Sequence, residues 1–249
     1  MDKILGIISE YNPLHLGHVY HIQESKKRIK PDYTVAVMSG NFVERGDAAI
    51  IDKWSRAEMA LKAGIDLVIE LPLLYSISSA ENFASGGIKI LESFGMETFL
   101  SFGSECGDIN ILNELSNVLI DEPTEYVSIL NHELAKGSSF PKAREHALLM
   151  YLNDIRRYAN VLSEPNNILG IEYLKAIKKQ KSKITPITIQ RKGSNYSDLS
   201  LKNKLSSATA IRHAIQTNTD VKDFVPEFTY EILQNKIEKN EIVLRTFNI

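Results

Sequence analysis

Two histidines three residues apart carry the first sign of chemistry in this sequence. In the run IISEYNPLHLGHVY, residues 7–20, His15, Gly17 and His18 follow closely on an apolar stretch at residues 4–8. The spacing predicts that they stand where a strand has ended and a helix begins. The first turn of a helix presents unpaired N–H groups and a partial positive charge, and together these receive phosphate. Two imidazoles on one side of that turn can hydrogen-bond phosphoryl oxygens and stabilise the charge that builds up as pyrophosphate leaves. Gly17 supplies no Cβ where a nucleotide must come close. The same residues also read as a metal pair lacking the third ligand of a zinc site, or as a plain turn. His21 reads as structural.

A second group lies near the other end, in LSSATAIR at residues 205–212. Ser206, Ser207 and Thr209 suit a helix cap and offer hydroxyls to phosphate, and Arg212 adds a fixed planar cation one turn inside. Alone it is an ordinary capped amphipathic helix; paired with His15 and His18 it becomes half of a two-part phosphate site. Between them, Arg45 reads either as countercharge for a small anion such as phosphate or as part of a salt-bridged loop. Asp66 and Glu70 read as metal or ribose ligands, or as structural carboxylates. Cys106 has no base beside it in sequence and reads as a bystander, and no nucleophilic triad is evident.

These groups need a scaffold, and the hydrophobic pattern predicts one. Short apolar strands at residues 4–8, 33–38, 66–71 and 98–102 alternate with helices reaching Lys30 and covering 52–63 and 81–94. Gly64 and Gly95 are placed to stop the last two helices. Such alternation implies a parallel sheet covered on both faces, an α/β Rossmann-like doubly wound fold. Residues 108–181 read as a helical insertion, and 184–190 as a returning strand whose Pro186 favours an edge or an irregular segment. A helix over 206–216 follows. The expected division is a catalytic domain at 1–225 and a helical tail at 226–249.

Composition bounds the function classes. With 249 residues, 29 Lys+Arg against 31 Asp+Glu and one cysteine, the chain has neither a disulfide framework nor a polybasic tail. No apolar run approaches the roughly 18–20 residues of a membrane helix, and Glu10 comes too early for a signal-peptide core. A soluble, cytoplasmic protein with no membrane partner is expected.

Longer strings narrow the field. EYNPLHLGH, GNFVERGDAAI, GIDLVIELP, SFGSE, PNNILGIEYLKAI and LSSATAIR occur in this order, and together they resemble the tRNA(Met) cytidine acetate ligase family of the nucleotidyltransferase superfamily, over residues 4–225. The resemblance implies a nucleotidyltransferase-type sheet and an enzyme that activates acetate with ATP to acetyl-adenylate. The acetyl group then passes to N4 of the wobble cytidine of elongator tRNA(Met). It implies an ATP site at Ile7, Ile8, Ser9, Glu10, Tyr11, Asn12, Pro13, Leu14, His15, Leu16, Gly17, His18, Val19 and Tyr20. Gly103, Asn166 or its neighbour Asn167, and Arg191 complete that site. The catalytic set is His15, His18, Ser206, Ser207 and Arg212. Mg2+ is expected to accompany ATP because it offsets phosphate charge, and its ligands are not identified.

The residues themselves agree with that carry-over. Gly103 is expected just past a strand end, Asn166 at a helix start where it can also cap, and Arg191 with Lys192 and Gly193 in a cationic turn. Leu16 departs from the polar residue common at its position. Family members continue beyond this chain into a further helical portion, so the tail is expected to be short relative to the family, which bears on transfer rather than ATP binding. Lys175, Lys178, Lys179, Lys181, Lys183, Lys192, Lys202 and Lys204 read either as tRNA contacts or as solvated helix ends, whereas Lys26, Lys27, Arg28 and Lys30 read as helix-terminal charge. Two alternatives stay open: a small-molecule adenylyltransferase, and a truncated, non-catalytic nucleotide or RNA binder.

Overall fold

Five apolar segments form one sheet. In the computed structural model, which describes residues 2–44, 46–192 and 205–243, these are β1 (Lys3–Ser9), β2 (Tyr33–Ser39), β3 (Leu67–Leu71), β4 (Glu97–Ser104) and β5 (Thr185–Gln190). The order is β3-β2-β1-β4-β5 and every pairing is parallel. The order reverses between β1 and β4, so the chain leaves the carboxyl ends of these neighbours toward opposite sides and opens a crevice. Pro186 sits in β5 at the sheet edge, where a missing N–H costs no ladder bond.

Alternating side chains divide the core into two layers. On one face Ile4, Ile8, Val35, Val37, Leu100 and Phe102 pack against α4 (Ala80–Glu92), α5 (Ile109–Asp121) and α9 (Pro165–Lys179). On the other face Leu5, Ile7, Ala36 and Met38 pack against α1 (Leu16–Ile29), α2 (Lys53–Lys62), α10 (Ala208–Gln216) and α11 (Glu227–Glu238). α4 lies close on β1: a Cβ at Gly87 would come within 2.4 Å of Ile8.

Between β4 and β5 the chain is helical. α5 is followed by α6 (Thr124–Ala135), α7 (Phe140–Leu152), the single turn α8 (Ile155–Tyr158) and α9. α11 is tied to α2 by an ion pair between Lys236 Nζ and Asp52 Oδ2 at 2.8 Å, and Val243 N–H donates to the Ile50 carbonyl at 2.9 Å. No described helix is long and apolar enough to cross a membrane.

Three expectations shift. The short helix α3 (Leu73–Ser76) was not anticipated; Pro72 caps it and its four residues carry no periodic signal. Asp66 precedes β3 and accepts the Thr34 N–H at 2.7 Å, at the amino end of the sheet and far along the strand from its carboxyl crevice. Glu70 is paired with Lys53 at 2.6 Å. Neither carboxylate lines the cleft at the carboxyl ends of β1, β4 and β5. Arg45, Gly193, Lys202 and Lys204 lie outside the described residues.

Candidate active site

A cleft of about 390 Å³ opens over the carboxyl ends of β1, β4 and β5. Both phosphate-type groups line it, His15 and His18 at the start of α1 and Ser207 and Arg212 on α10. A direct bond joins them: Arg212 Nη1 donates to the Asn12 carbonyl at 2.8 Å, while Nη2 donates to Thr209 Oγ1 at 3.2 Å. Two motifs some two hundred residues apart thus share one wall.

The α1 start is built from imidazole. His15 is the N-cap, extended at φ −137°, and its Nδ1 accepts the Gly17 N–H at 3.0 Å. His18 reaches back, its Nδ1 accepting the His15 N–H at 3.3 Å. The two rings stack with centroids 3.7 Å apart and 29° between planes. A neutral imidazole accepts on one nitrogen and donates from the other. With both Nδ1 atoms accepting, both histidines carry their proton on Nε2, the tautomer suited to donating to phosphate oxygen. Burial keeps them neutral: it pulls the His15 pKa down to about 3, helped by the positive charges of Arg191 and Arg212. Burial likewise holds His18 well below its ordinary value, with His15, Arg191 and His21 adding to the effect. His21 also lines the cleft; it is lowered to about 4 by burial and Arg191, and its Nε2 meets Ser101 Oγ at 3.0 Å.

The remaining candidates separate into those that face the cleft and those that support it. Ile7, Ile8, Ser9, Glu10, Tyr11, Asn12, Gly17 and Tyr20 line it, whereas Pro13, Leu14, Leu16 and Val19 do not. Leu14 is buried in the α1–α2 layer instead. Ser207 caps α10, its Oγ accepting the Ala210 N–H at 3.1 Å, but Ser206 is buried and does not line the cleft. Gly103 lies within β4 rather than past its end, because that strand runs on to Ser104 to pair with Gln190. Asn166 is not a cap: Pro165 begins α9 and Glu164 holds the N-cap position. Its side chain donates instead to Glu105 Oε1 at 2.5 Å and accepts from Arg191 Nη1 at 3.5 Å, at the cleft rim. Asn167 is buried and structural. Its Oδ1 accepts the N–H groups of Glu105 (2.9 Å) and Cys106 (3.1 Å), fixing the turn after β4. The two asparagines therefore do different things, and only Asn166 reaches the cleft.

The lysine run divides into buried, paired and exposed members. Lys175 is buried and paired with Glu172 at 2.7 Å, Lys178 donates to Ser116 and Asn117 at 2.6 Å each, and Lys179 pairs with Glu81 at 2.7 Å. Lys178 and Lys179 tie α9 to α5 and α4, Lys175 is paired within α9, and Lys181 and Lys183 stay exposed. Lys192 remains exposed at the rim, 4.9 Å above the Tyr20 ring.

Arg56 escaped notice in the sequence. It is wholly buried on α2, donating from Nη1 to the Glu10 carbonyl at 2.6 Å, from Nη2 to the Ser39 carbonyl at 3.1 Å and to that of Gly40, and from Nε to the Ile51 carbonyl at 3.3 Å. It clamps the chain where β1 and β2 end. A lone arginine amid the polar face of a predicted helix offers no signal of this; only the carbonyls converging on it do.

A parallel 3-2-1-4-5 sheet whose first helix starts with paired histidines, joined by a capped helix bearing an arginine, defines a nucleotidyltransferase. Accordingly, the sequence profile described as HIGH Nucleotidyl Transferase matches residues 2–248, and the chain belongs to that family. Within it, the chain is 52% identical over 241 residues to a tRNA(Met) cytidine acetate ligase of Caldanaerobacter subterraneus, covering 96% of this chain and 60% of that protein. It is 50% identical over 244 residues to a protein of the same name from Clostridium novyi, covering 97% and 61%. The crystal structure of apo Thermotoga maritima TmcAL (form I) superposes with a TM-score of 0.91 at 42% identity, over 96% of this chain and 58% of that one. The same protein bound to alpha-thio ATP gives 0.86 at 41% identity, over 96% and 57%. The chain thus spans about three-fifths of the length of these relatives.

Proposed function

We propose that this chain is an ATP-dependent acetate ligase that acetylates N4 of the wobble cytidine of elongator tRNA(Met) through acetyl-adenylate. The observation that carries this is the convergence of His15, His18, Ser207 and Arg212 on one cleft, bonded through Arg212 and Asn12. The relatives' shared name, and an ATP analogue bound to one of them, support it.

In the first step an acetate oxygen attacks the α-phosphorus of ATP and the bond to pyrophosphate breaks. The Nε2–H groups of His15 and His18 stabilise charge on the phosphoryl oxygens, acting as fixed neutral donors that need no proton to arrive or leave. Arg212 and the α10 start hold the outer phosphates, and Gly103, Asn166 and Arg191 position the nucleoside. In the second step the cytidine amine attacks the acetyl carbon and AMP leaves. No cluster of three His, Cys, Asp or Glu converges among the described residues. A Mg2+ ion shared between phosphates would arrive with the nucleotide, and none of these side chains is assigned to it. The setting is the cytoplasm, where ATP and tRNA meet.

The test mixes protein, ATP, labelled acetate and tRNA. Label in tRNA is expected; adenylate without transfer limits the chain to activation, and the absence of both overturns the proposal. His18→Ala should slow adenylate formation by about 10²–10³-fold, the usual cost of one transition-state donor. A stable dinucleotide product would instead favour a small-molecule adenylyltransferase.

A further inference from the structure

The cleft extends past the phosphate-facing helix starts onto the face covered by α4 and α9. There its wall is apolar and aromatic, formed by Ala80, Phe83, Phe102, Ile168, Leu169 and Tyr173. Tyr173 is 2% exposed and tilts against Phe102 with centroids 5.5 Å apart. Its hydroxyl has no hydrogen-bond partner among the described residues. A buried hydroxyl left so is destabilising, and a ligand with a matching polar group recovers that loss. Burial drives its pKa well above 10, with the carboxylates of Glu44 and Glu10 adding to the rise. The hydroxyl therefore stays protonated and within reach of their field.

Glu10 follows β1 on the same cleft. Its Oε1 accepts the Glu44 N–H at 2.8 Å, and Oε2 makes no hydrogen bond among the described residues. A carboxylate oxygen without a donor beside an aromatic wall attracts an N–H donor. A flat ring bearing an amine satisfies both features. Glutamate is also a natural acceptor for the cytosine N4 hydrogens.

We propose that this half of the cleft is the acceptor site for an exocyclic aromatic amine, with Glu10 Oε2 receiving an amine hydrogen and taking up the proton released as the amide forms. The inference rests on the acetyl-transfer reading above, in which that amine is cytidine N4. The nitrogen attacks the acetyl carbonyl carbon, the C–N bond forms, the C–O bond to AMP breaks, and AMP departs with the electron pair. Glu44, Arg212 and Arg56 are the charged groups that act on Glu10. Burial raises its pKa, the backbone bond from Glu44 lowers it, the Glu44 charge raises it, and the two arginines lower it. The net rise brings a carboxylate closer to the basicity a proton acceptor needs. An adenine amine has the same chemistry, so the test must tell the two apart.

Glu10→Gln and Tyr173→Phe are compared with the wild type in two half-reactions: acetate-dependent adenylate formation with its KM for ATP, and acetyl transfer from preformed acetyl-adenylate to a tRNA(Met) transcript. Glu10→Gln should lower kcat for transfer about 10²-fold or more, the usual range for a proton acceptor. That loss should exceed any loss in adenylate formation at least about tenfold, and the acidic limb of the pH profile for transfer should disappear. Tyr173→Phe, which keeps the ring and the packing, should raise KM for the RNA and leave kcat for transfer less affected. Equal losses in both half-reactions, or an effect confined to KM for ATP, would place adenine in the pocket and overturn the inference. Wild-type protein that makes adenylate and transfers nothing overturns it as well. A wild type that makes no adenylate instead defeats the ligase reading itself.

Discussion

The imidazoles of His15 and His18 stack 3.7 Å apart, each with its Nδ1 accepting a backbone N–H of the same helix start. One hydrogen-bonded unit therefore caps α1 and sets which nitrogen of each ring carries the proton. Structure and chemistry cannot be separated at this point.

Neutral, buried histidines give a definite pH signature. Each is neutral in the folded chain, His15 down to about pH 3 and His21 to about pH 4, but takes a proton near pH 6.5 once unfolded. Below 6.5 the unfolded state binds more protons, so stability falls as pH drops toward 4. The slope per histidine is at most about 1.4 kcal/mol per pH unit. His21→Gln should reduce the slope by up to that amount in urea titrations between pH 6.5 and 4. An unchanged slope would show that His21 titrates normally in the folded chain. Adenylate formation should also lack a histidine limb near pH 6.5.

Gly17→Ala tests the geometry of the cap. A Cβ there would come 2.9 Å from His15 Cε1 and 3.0 Å from Nδ1, so the first thing it meets is the His15 ring. Alanine gains about 1 kcal/mol of helix propensity and loses about the same if the cap breaks. We expect a melting temperature close to wild type and a clear fall in kcat for adenylate formation. Full activity would mean the ring can move without penalty.

The neighbouring asparagines should separate cleanly. Asn167→Ala leaves two N–H groups of the turn after β4 without their acceptor and should cost about 1–3 kcal/mol in denaturant unfolding. Asn166→Ala should change stability little and weaken ATP binding, read by calorimetry. The reverse pattern would reassign the two roles.

Arg56→Met removes the clamp on the ends of β1 and β2. Carbonyls of Glu10, Ser39, Gly40 and Ile51 lose their donor together, a loss of about 3 kcal/mol or more at 1–3 kcal/mol per unsatisfied group. Arg56→Lys restores one donor and should recover only part of it. A Met variant as stable as wild type would show that other donors or solvent reach those carbonyls.

Strand periodicity and helix spacing in the sequence determined the alternating α/β plan, the place of the histidines after β1, and the capped helix carrying Arg212. These are local properties, set by which side chains recur every second or every third to fourth residue. They also marked Pro186 as belonging to an edge or an irregular segment, and the sheet order decided for the edge. What the sequence alone left undecided was which polar residues turn inward. Lys175 and Lys179 read equally as tRNA contacts or solvated helix ends until Lys175 proved buried beside Glu172 and Lys179 met Glu81, and Asn166 and Asn167 were indistinguishable until α9 was set against β4. Arg56, Tyr173 and the carboxylate of Glu10 gain their meaning only from segments distant in the chain. A polar group's role depends on the partner it meets and the water it loses, and both are fixed by the packing of remote elements rather than by neighbours in sequence.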